Sequence, residues 1–454
     1  MLSPSDIEYI RSRGTTEETI ARQIERFRRG ATAVTLDRPA TVGDGIVRVA
    51  EDEKPRLAAL HDEAARAGRC LKFVPASGAA TRMFKDWHAV LNRGGFGSRA
   101  EFDAFAESLP RYAFYGDLCE VLSRAGRVEA KPGAVGAERE ILDFILNDRG
   151  LNYACKPKAL LKFHRYADAA RTALEEHLVE AALYVKDGQG LCRVHVTVSA
   201  EHLEPVRELI RQVRGDHERR LGVRYDIGLS VQSESTDTIA VDLDNRPFRA
   251  RDGRLLFRPG GHGALLYNLH AIQGDIVFVK NIDNVVPDRL KDTTVLYKKI
   301  LGGCLVALQQ ELFGRLRALS DPSAGESPVD EAARFAAERL TCLLPPGFEG
   351  RPLEERREIL MNALDRPLRV CGMVKNEGEP GGGPFWVRDP DGGCSLQIVE
   401  EVQVDRKKTG QADLWASSTH FNPVDLVCGV RDFRGRPFDL ERFVAADQVF
   451  ISVK

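Results

Sequence analysis

Residues 70–82, with the sequence CLKFVPASGAATR, decide the fold class. The apolar run at 70–76 predicts a short buried strand, the small residues at 77–82 predict a turn, and a helical pattern begins at Met83. A strand, a loop of small residues and a helix in this order open the sheet of nucleotide-binding α/β proteins. Small side chains let backbone N–H groups approach a phosphate, and Arg82 adds a planar cation. The same stretch is equally compatible with a tight turn that binds nothing.

The alternation of strand and helix continues downstream. Strands are predicted at 192–199, 225–231 and 275–280, and the last is an almost continuous apolar run typical of a central strand. Apolar residues at helical spacing predict one helix from Leu203 and a longer helix after Pro287. The sequence therefore predicts an α/β protein.

We expect three regions along the chain. Residues 1–68 form an N-terminal helical segment, and residues 69–319 form an α/β core. The polar residues 320–326 are a plausible linker. Residues 327–454 are expected to be β-rich, with short alternating runs. The last six residues, 449–454, are either an edge strand or the point at which a longer sequence is cut.

Composition excludes several classes of protein. The 65 Lys and Arg residues nearly balance the 67 Asp and Glu residues, so no global charge favours nucleic acid or an anionic membrane. No apolar run approaches the ~20 residues that span a bilayer, and the N-terminus lacks the pattern of a secretory signal. Nine dispersed cysteines without a CxxC pair fit reduced thiols. We therefore expect a cytoplasmic protein that binds neither nucleic acid nor membranes.

Two further motifs carry chemistry. Lys158 follows a proline ahead of an apolar segment, where it can be held at a pocket wall, although a surface lysine is the commoner case. The glycine-rich stretch 258–265 contains His262, which more often bonds within its loop than catalyses. Asp283 follows the central strand between two asparagines, where a carboxylate suits Mg²⁺ or simply caps a turn. The sequence offers no cysteine or histidine partners at zinc-ligand spacing.

Taken in order, the motifs SGxxTRM, PK, Gln, PGGHG and NIDN resemble those of the sugar-1-phosphate nucleotidyltransferases. The resemblance is greatest to the UDP-sugar and UDP-N-acetylhexosamine pyrophosphorylases and covers mainly residues 70–285. The whole chain also resembles the bacterial domain-of-unknown-function family 4301. The resemblance implies a Rossmann-like glycosyltransferase-A type fold, with residues of about 86–152 as a helical insertion before Lys158.

The resemblance also implies roles for individual residues. Arg82 would lie on the leaving pyrophosphate, and Lys158 would contact the phosphates. The phosphate loop would comprise Ser77, Gly78, Ala79 and Thr81.

The base and the metal would be held by other motifs. Gln232 would read the uracil edge, while Gly261 and His262 would pack around base and ribose. Asp283 would hold Mg²⁺. The small-molecule partners implied are a nucleoside triphosphate, with UTP favoured, and a sugar 1-phosphate.

The sequence departs from the family pattern at two positions. Ala80 replaces a glycine, and Asp425 stands where a lysine would bind the sugar phosphate. The alternatives for that cation are a residue beyond position 454, Lys375, Lys407 or Lys408. Weaker candidates for substrate contact are Lys375, Glu379 and Asn281.

The implied reaction is in-line attack by a sugar-phosphate oxygen on the α-phosphorus of the nucleotide. Positioning and charge neutralisation suffice for it, because the nucleophile is already an anion. The alternatives are a nucleotide- or sugar-binding regulator without turnover, and another phosphotransferase such as a sugar kinase. The kinase is disfavoured because no GxxxxGK[ST] loop occurs.

Overall fold

The computed structural model describes residues 2–78, 80, 83–127, 138–378, 381–389, 392–445 and 448–452. The α-helices in these residues are α1 (Pro4–Ser12), α2 (Glu17–Arg29), α3 (Lys54–Arg66), α4 (Lys85–Arg93), α5 (Arg99–Ser108), α6 (Tyr115–Arg124), α7 (Glu138–Leu146), α8 (Ala173–Tyr184), α9 (Leu203–Leu221), α10 (Leu265–Ile272), α11 (Asp288–Leu319), α12 (Glu326–Leu340), α13 (Leu353–Leu364) and α14 (Gln411–Ala416). The strands are β1 (Leu36–Pro39), β2 (Thr41–Val42), β3 (Gly45–Ile46), β4 (Cys70–Pro75), β5 (Lys162–Arg165), β6 (Ala170–Thr172), β7 (Leu191–Val198), β8 (Arg224–Val231), β9 (Thr238–Ile239), β10 (Phe257–Arg258), β11 (Ile276–Lys280), β12 (Leu368–Cys371), β13 (Val374–Lys375), β14 (Gly383–Arg388), β15 (Cys394–Val399), β16 (His420–Phe421) and β17 (Asp425–Gly429).

A six-stranded mixed sheet confirms the α/β class. Its strand order is β12-β17-β11-β4-β7-β8. β4 and β7 are parallel, with Phe73 opposite His195, and β7 and β8 are parallel from Leu191 to Val198. β12 and β17 are antiparallel, which makes the sheet mixed. The predicted strands at 70–76, 192–199, 225–231 and 275–280 are all present in it.

The chain divides into two compact units, and neither is a continuous segment. Unit 1 comprises residues 1–71, 232–279 and 297–454, and unit 2 comprises residues 72–231 and 280–296. The linear division at 68/69 and 319/327 therefore does not follow the compact units.

Unit 2 contains the helical layer expected at about 86–152. Helices α4 to α7 pack through a cluster of aromatic and aliphatic side chains that includes Phe84, Phe105 and Phe114. Ser98 caps α5 by accepting a hydrogen bond from the Glu101 N–H, which satisfies a backbone donor at the helix start. The described part of this region is thus helical.

Helix α8 of unit 2 is buried on nearly every side. Its start is fixed by a capping box, in which Thr172 Oγ1 accepts from the Glu175 N–H and the Glu175 carboxylate accepts from the Thr172 N–H. The buried positions nevertheless include Glu176, His177 and Glu180. Buried charges are costly unless they are paired, so α8 must have polar partners within its unit.

Unit 1 contains the first four residues of β11, a strand that is buried throughout, and the part of the long helix α11 from residue 297 onward. The region predicted to be β-rich begins instead with α12 and α13, and its first strand is β12. The small and apolar residues Val329, Ala332, Ala333 and Ala336 recur at helical spacing and form the buried face of α12. Strands β14 and β15 lie further along in this region and pair antiparallel.

Of the two alternatives for the chain end, the edge strand is absent from the described residues 448–452. Alternation of apolar residues does not by itself supply a neighbouring strand with free backbone groups. No described helix combines the length and apolar character needed to cross a bilayer. All nine cysteines are free thiols.

Candidate functional site

The loop after β4 is only partly described. Ala76 is buried, and its N–H donates to the carbonyl oxygen of Thr197 at 2.9 Å. Ser77 is half-buried, Gly78 is exposed, and a Cβ on Gly78 would meet nothing within 4 Å. The start of the loop is therefore accessible from solvent.

Three residues assigned to the phosphates, Ala79, Thr81 and Arg82, lie outside the described residues. Their roles therefore stay predictions. Ala80, which replaces a glycine of the family pattern, is fully buried, and its carbonyl oxygen accepts from the Met83 N–H.

Lys158 and Asp283, which are far apart in sequence, meet in unit 2. The Lys158 ammonium lies 2.5 Å from Asp283 Oδ2, and the two side chains are 21% and 37% exposed. Lys158 begins a single turn of 3-10 helix directly after Pro157. Because both side chains reach solvent, the pair is open to a ligand, and it combines one cation with one carboxylate.

The loop that carries Asp283 is fixed at the end of two strands. It begins directly after β11, and the Ile282 N–H donates to the carbonyl oxygen of Pro75 at the end of β4. The Asn284 N–H donates to the Asn281 carbonyl, which closes a turn around Asp283. Ligand sites in open α/β sheets lie at the carboxyl ends of strands, and Asp283 occupies such a position.

A buried group of charges lies on α8 beneath this loop. Glu180 accepts hydrogen bonds from Lys72 at 2.8 Å and from Lys280, the last residue of β11, at 2.9 Å. Burial alone would raise the pKa of Glu180, but the charges of Lys72 and Lys280 outweigh it and lower the pKa below its usual value. Glu180 is therefore an anion that holds the end of β11 to α8.

His177, also on α8, contacts the loop itself. Its Nε2 lies 3.1 Å from the carbonyl oxygens of Asn281 and Ile282, the two residues before Asp283. Both partners can only accept, so Nε2 carries the proton. Burial, followed by the charge of Lys72, lowers the pKa of His177 well below its usual value. The imidazole is therefore neutral.

Glu176 holds the far end of the same loop. Its carboxylate accepts from Lys291 at 2.5 Å and from the Tyr166 hydroxyl at 2.7 Å. The Lys291 ammonium also donates to the carbonyl oxygen of Val286 at 2.6 Å. Burial raises the pKa of Glu176, but hydrogen bonds from His164, Lys291 and Tyr166 outweigh it and lower the pKa overall. The loop thus has polar contacts to α8 at both ends.

Sequence reasoning missed these α8 residues. The available signal was the pair Glu176 and Glu180, one helical turn apart in the helical segment 173–184, whose remaining residues are apolar except Glu175 and His177. Acidic residues at this spacing normally lie on a solvated face, and their lysine partners are distant in sequence.

The residues predicted to recognise the base lie in unit 1. Gln232 is half-buried, and its side-chain amide donates to the Gly260 carbonyl oxygen at 3.1 Å. A Cβ on Gly260 would come within 2.6 Å of the Thr236 carbonyl oxygen, so the loop requires glycine there. Gly261 is exposed, and His262 begins a short 3-10 turn. Gln232 is therefore fixed in its loop, and its role in reading uracil stays a prediction.

The weaker substrate candidates are scattered. Lys375 is exposed in β13, Asn281 lies in the Asp283 loop, and Glu379 is outside the described residues. Asp425, which replaces a lysine of the family pattern, pairs with the buried ammonium of Lys298 in unit 1. Asp425 is thus already neutralised, and no role in sugar-phosphate binding is indicated for it.

The donor set around Asp283 suits one kind of metal. No group of three or more His, Cys, Asp or Glu side chains suited to a metal occurs in the described part of the chain. Zinc sites normally need three or four such ligands. Mg²⁺ usually keeps several waters and binds through one or two carboxylates together with substrate phosphates. A single accessible carboxylate therefore fits Mg²⁺ that arrives with a nucleotide.

Comparison with solved structures found distant similarities. The chain aligns with the uridine diphosphate N-acetylglucosamine pyrophosphorylase of Trypanosoma brucei at a TM-score of 0.40 and 12% identity, over 90% of this chain and 57% of that one. It aligns with a mutant UDP-glucose pyrophosphorylase of Leishmania major in complex with UDP-glucose at a TM-score of 0.39 and 10% identity, over 94% and 64% of the two chains. The chain thus spans less than two thirds of these proteins, and similarities of this size assign no activity.

Comparison by sequence gave one match. No curated protein matches the chain. The family described as "Domain of unknown function (DUF4301)" matches residues 3–454, nearly the whole sequence. The chain is therefore a member of the DUF4301 family.

Proposed function

We propose that this protein is a Mg²⁺-dependent nucleotidyltransferase that joins a nucleoside triphosphate, preferentially UTP, to a sugar 1-phosphate and releases pyrophosphate. The observation that carries the proposal is the accessible pair of Lys158 and Asp283 after the buried strand β11. Its support also includes the order of the sequence motifs, which resembles that of the sugar-1-phosphate nucleotidyltransferases. The proposal includes the Rossmann-like nucleotidyltransferase fold.

In this reaction the chain's own residues bind and orient anions. Lys158 would donate to phosphate oxygens, and Arg82 would neutralise the leaving pyrophosphate. Asp283 would hold Mg²⁺, which supplies further neutralisation of phosphate charge when it is bound. No protein base is needed, because the attacking phosphate oxygen is already ionised.

A second candidate function is nucleotide or sugar binding without turnover. The pairing of Asp425 with Lys298 favours it. The resemblance to the sugar-1-phosphate nucleotidyltransferases implies a lysine for the sugar phosphate at position 425, whereas this chain has a carboxylate that is already paired. Binding of a sugar nucleotide without any chemical step would support this candidate.

The test is pyrophosphate release from Mg-UTP, Mg-CTP, Mg-ATP or Mg-GTP with a panel of sugar 1-phosphates. The proposal expects release that depends on both substrates. Release without a sugar phosphate would indicate hydrolysis, ADP formation from ATP would indicate a kinase, and binding without release would indicate the regulator. Each of these three outcomes would contradict the proposal.

The variant Asp283→Asn tests the site itself. Loss of the metal-binding charge should lower turnover ~10² to 10⁴-fold while the protein stays folded. The matched control is Asp117→Asn, because Asp117 pairs with Lys162 at 2.7 Å in the same unit with side chains 35% and 31% exposed. Equal turnover in the two variants would remove Asp283 from the site.

A further inference from the structure

We infer that His177 is a positioning residue, which holds the loop of Asp283 in place through the carbonyl groups of Asn281 and Ile282. The inference rests on the proposed function insofar as Asp283 holds the metal. His177 itself is fully buried, so its action passes through the backbone before Asp283.

One imidazole nitrogen of His177 lies within hydrogen-bonding distance of two backbone carbonyl groups. Nε2 lies 3.1 Å from each oxygen, whereas Nδ1 is buried without a hydrogen-bond partner among the described residues. A buried polar atom without a partner is costly. The polar contacts of the imidazole are therefore those that Nε2 makes.

Two neighbours of His177 on α8 hold the segment on either side of the same loop. Glu180 fixes the end of β11 through Lys280, and Glu176 fixes the far end of the loop through Lys291 and Val286. The carbonyl groups before Asp283 therefore face a donor on a helix that is tied to both ends of their loop. Residues that orient a metal ligand in this way typically change metal affinity or activity 10- to 100-fold when they are removed.

Two substitutions of similar polarity separate positioning from simple packing. His177→Gln places an amide donor at nearly the reach of Nε2, whereas His177→Asn is one methylene shorter and cannot reach the carbonyl groups. We expect hydrogen exchange of residues 281–284 to be about 10-fold or more faster in the Asn variant, and within about threefold of wild type in the Gln variant.

The matched control is His217→Asn. His217 is also buried in unit 2, and its Nε2 contacts Glu175 at 3.3 Å rather than the loop. This control should leave exchange of residues 281–284 unchanged. Equal exchange rates of residues 281–284 in the wild type and both His177 variants would overturn the inference. Exchange as fast in His217→Asn as in His177→Asn would overturn it as well.

Binding of Mn²⁺ alone, measured by electron paramagnetic resonance, gives the metal readout. The Asn variant of His177 should bind Mn²⁺ about 10-fold more weakly than wild type, and the Gln variant should restore binding. Full Mn²⁺ affinity in the Asn variant would contradict the inference. If Asp283→Asn leaves Mn²⁺ binding unchanged, the metal assignment of the proposed function fails, whereas the exchange rates still decide the role of His177.

Discussion

Replacement of Lys158 by methionine should raise the affinity of the protein for the metal alone and lower its affinity for the metal–nucleotide complex. In the structure the Lys158 ammonium lies 2.5 Å from Asp283 Oδ2, at the carboxylate assigned to the metal. A bound cation must displace this ammonium, which then becomes available to phosphate oxygens. Lys158→Met keeps an unbranched side chain but removes both the competitor and the phosphate ligand.

The size of each effect follows from exposure. Both partners are partly exposed, so solvent screens the pair, and such pairs are typically worth about 0.2–1 kcal/mol. Removing the competitor should therefore tighten binding of Mn²⁺ alone by roughly 1.4- to 5-fold. Loss of a charge-assisted bond to phosphate costs about 1.5–3 kcal/mol, so Mn-UTP should bind ~10- to 100-fold more weakly.

The assay compares the two affinities in one preparation. Mn²⁺ alone is titrated by electron paramagnetic resonance, and Mn-UTP by calorimetry. Lys162→Met is the control, because Lys162 pairs with Asp117 at similar exposure. High salt should reduce the effect on Mn²⁺ alone, since it screens exposed pairs. Weaker binding of Mn²⁺ alone in the Lys158 variant, or unchanged Mn-UTP binding, would refute the reasoning.

Two further predictions concern base selection and acid stability. If Gln232 reads uracil, pyrophosphate release by the wild type should prefer UTP over GTP by ~10- to 100-fold. Gln232→Ala should reduce this preference more than it slows turnover at saturating UTP. Equal use of both nucleotides by the wild type would contradict the prediction. Folding lowers the pKa of Glu180 below its ordinary value of 4.5, so the ionised carboxylate stabilises the fold at any pH above 4.5. This contribution should be lost progressively as the pH falls below 4.5. Glu180→Gln removes the carboxylate partner of Lys72 and Lys280 and should lower the free energy of unfolding by about 3–5 kcal/mol at neutral pH. It should also flatten the dependence of this free energy on acid, measured by urea denaturation; an unchanged acid profile would contradict it.

The sequence predicts well those elements whose pattern of apolar residues lies within a short continuous segment. The apolar run of β11 and the helical spacing of α11 each depend on neighbouring residues, and both elements appear where they are expected. The helices at 326–364 differ from the β-rich region predicted from residue 327, because that prediction extends the alternating strands back over them.

The charges of α8 could not be located from sequence alone. Glu180 pairs with Lys72 and Lys280, which are 108 and 100 positions away in the chain. No local pattern records such partners, because pairing is set by the order of strands in the sheet. For the same reason Lys158 and Asp283 could be proposed one by one, whereas their direct contact becomes visible only in the fold.

The division of unit 2 into residues 72–231 and 280–296 has a consequence for synthesis on the ribosome. When residue 231 has been added, Lys280, Ile282 and Lys291 have not been made, so Glu180, His177 and Glu176 lack those partners. At ~5–20 residues per second, this interval lasts roughly 3–13 s. A nascent chain that ends within the interval should therefore be a substrate for chaperones and proteases, and a fragment of residues 72–231 should not fold stably when expressed alone.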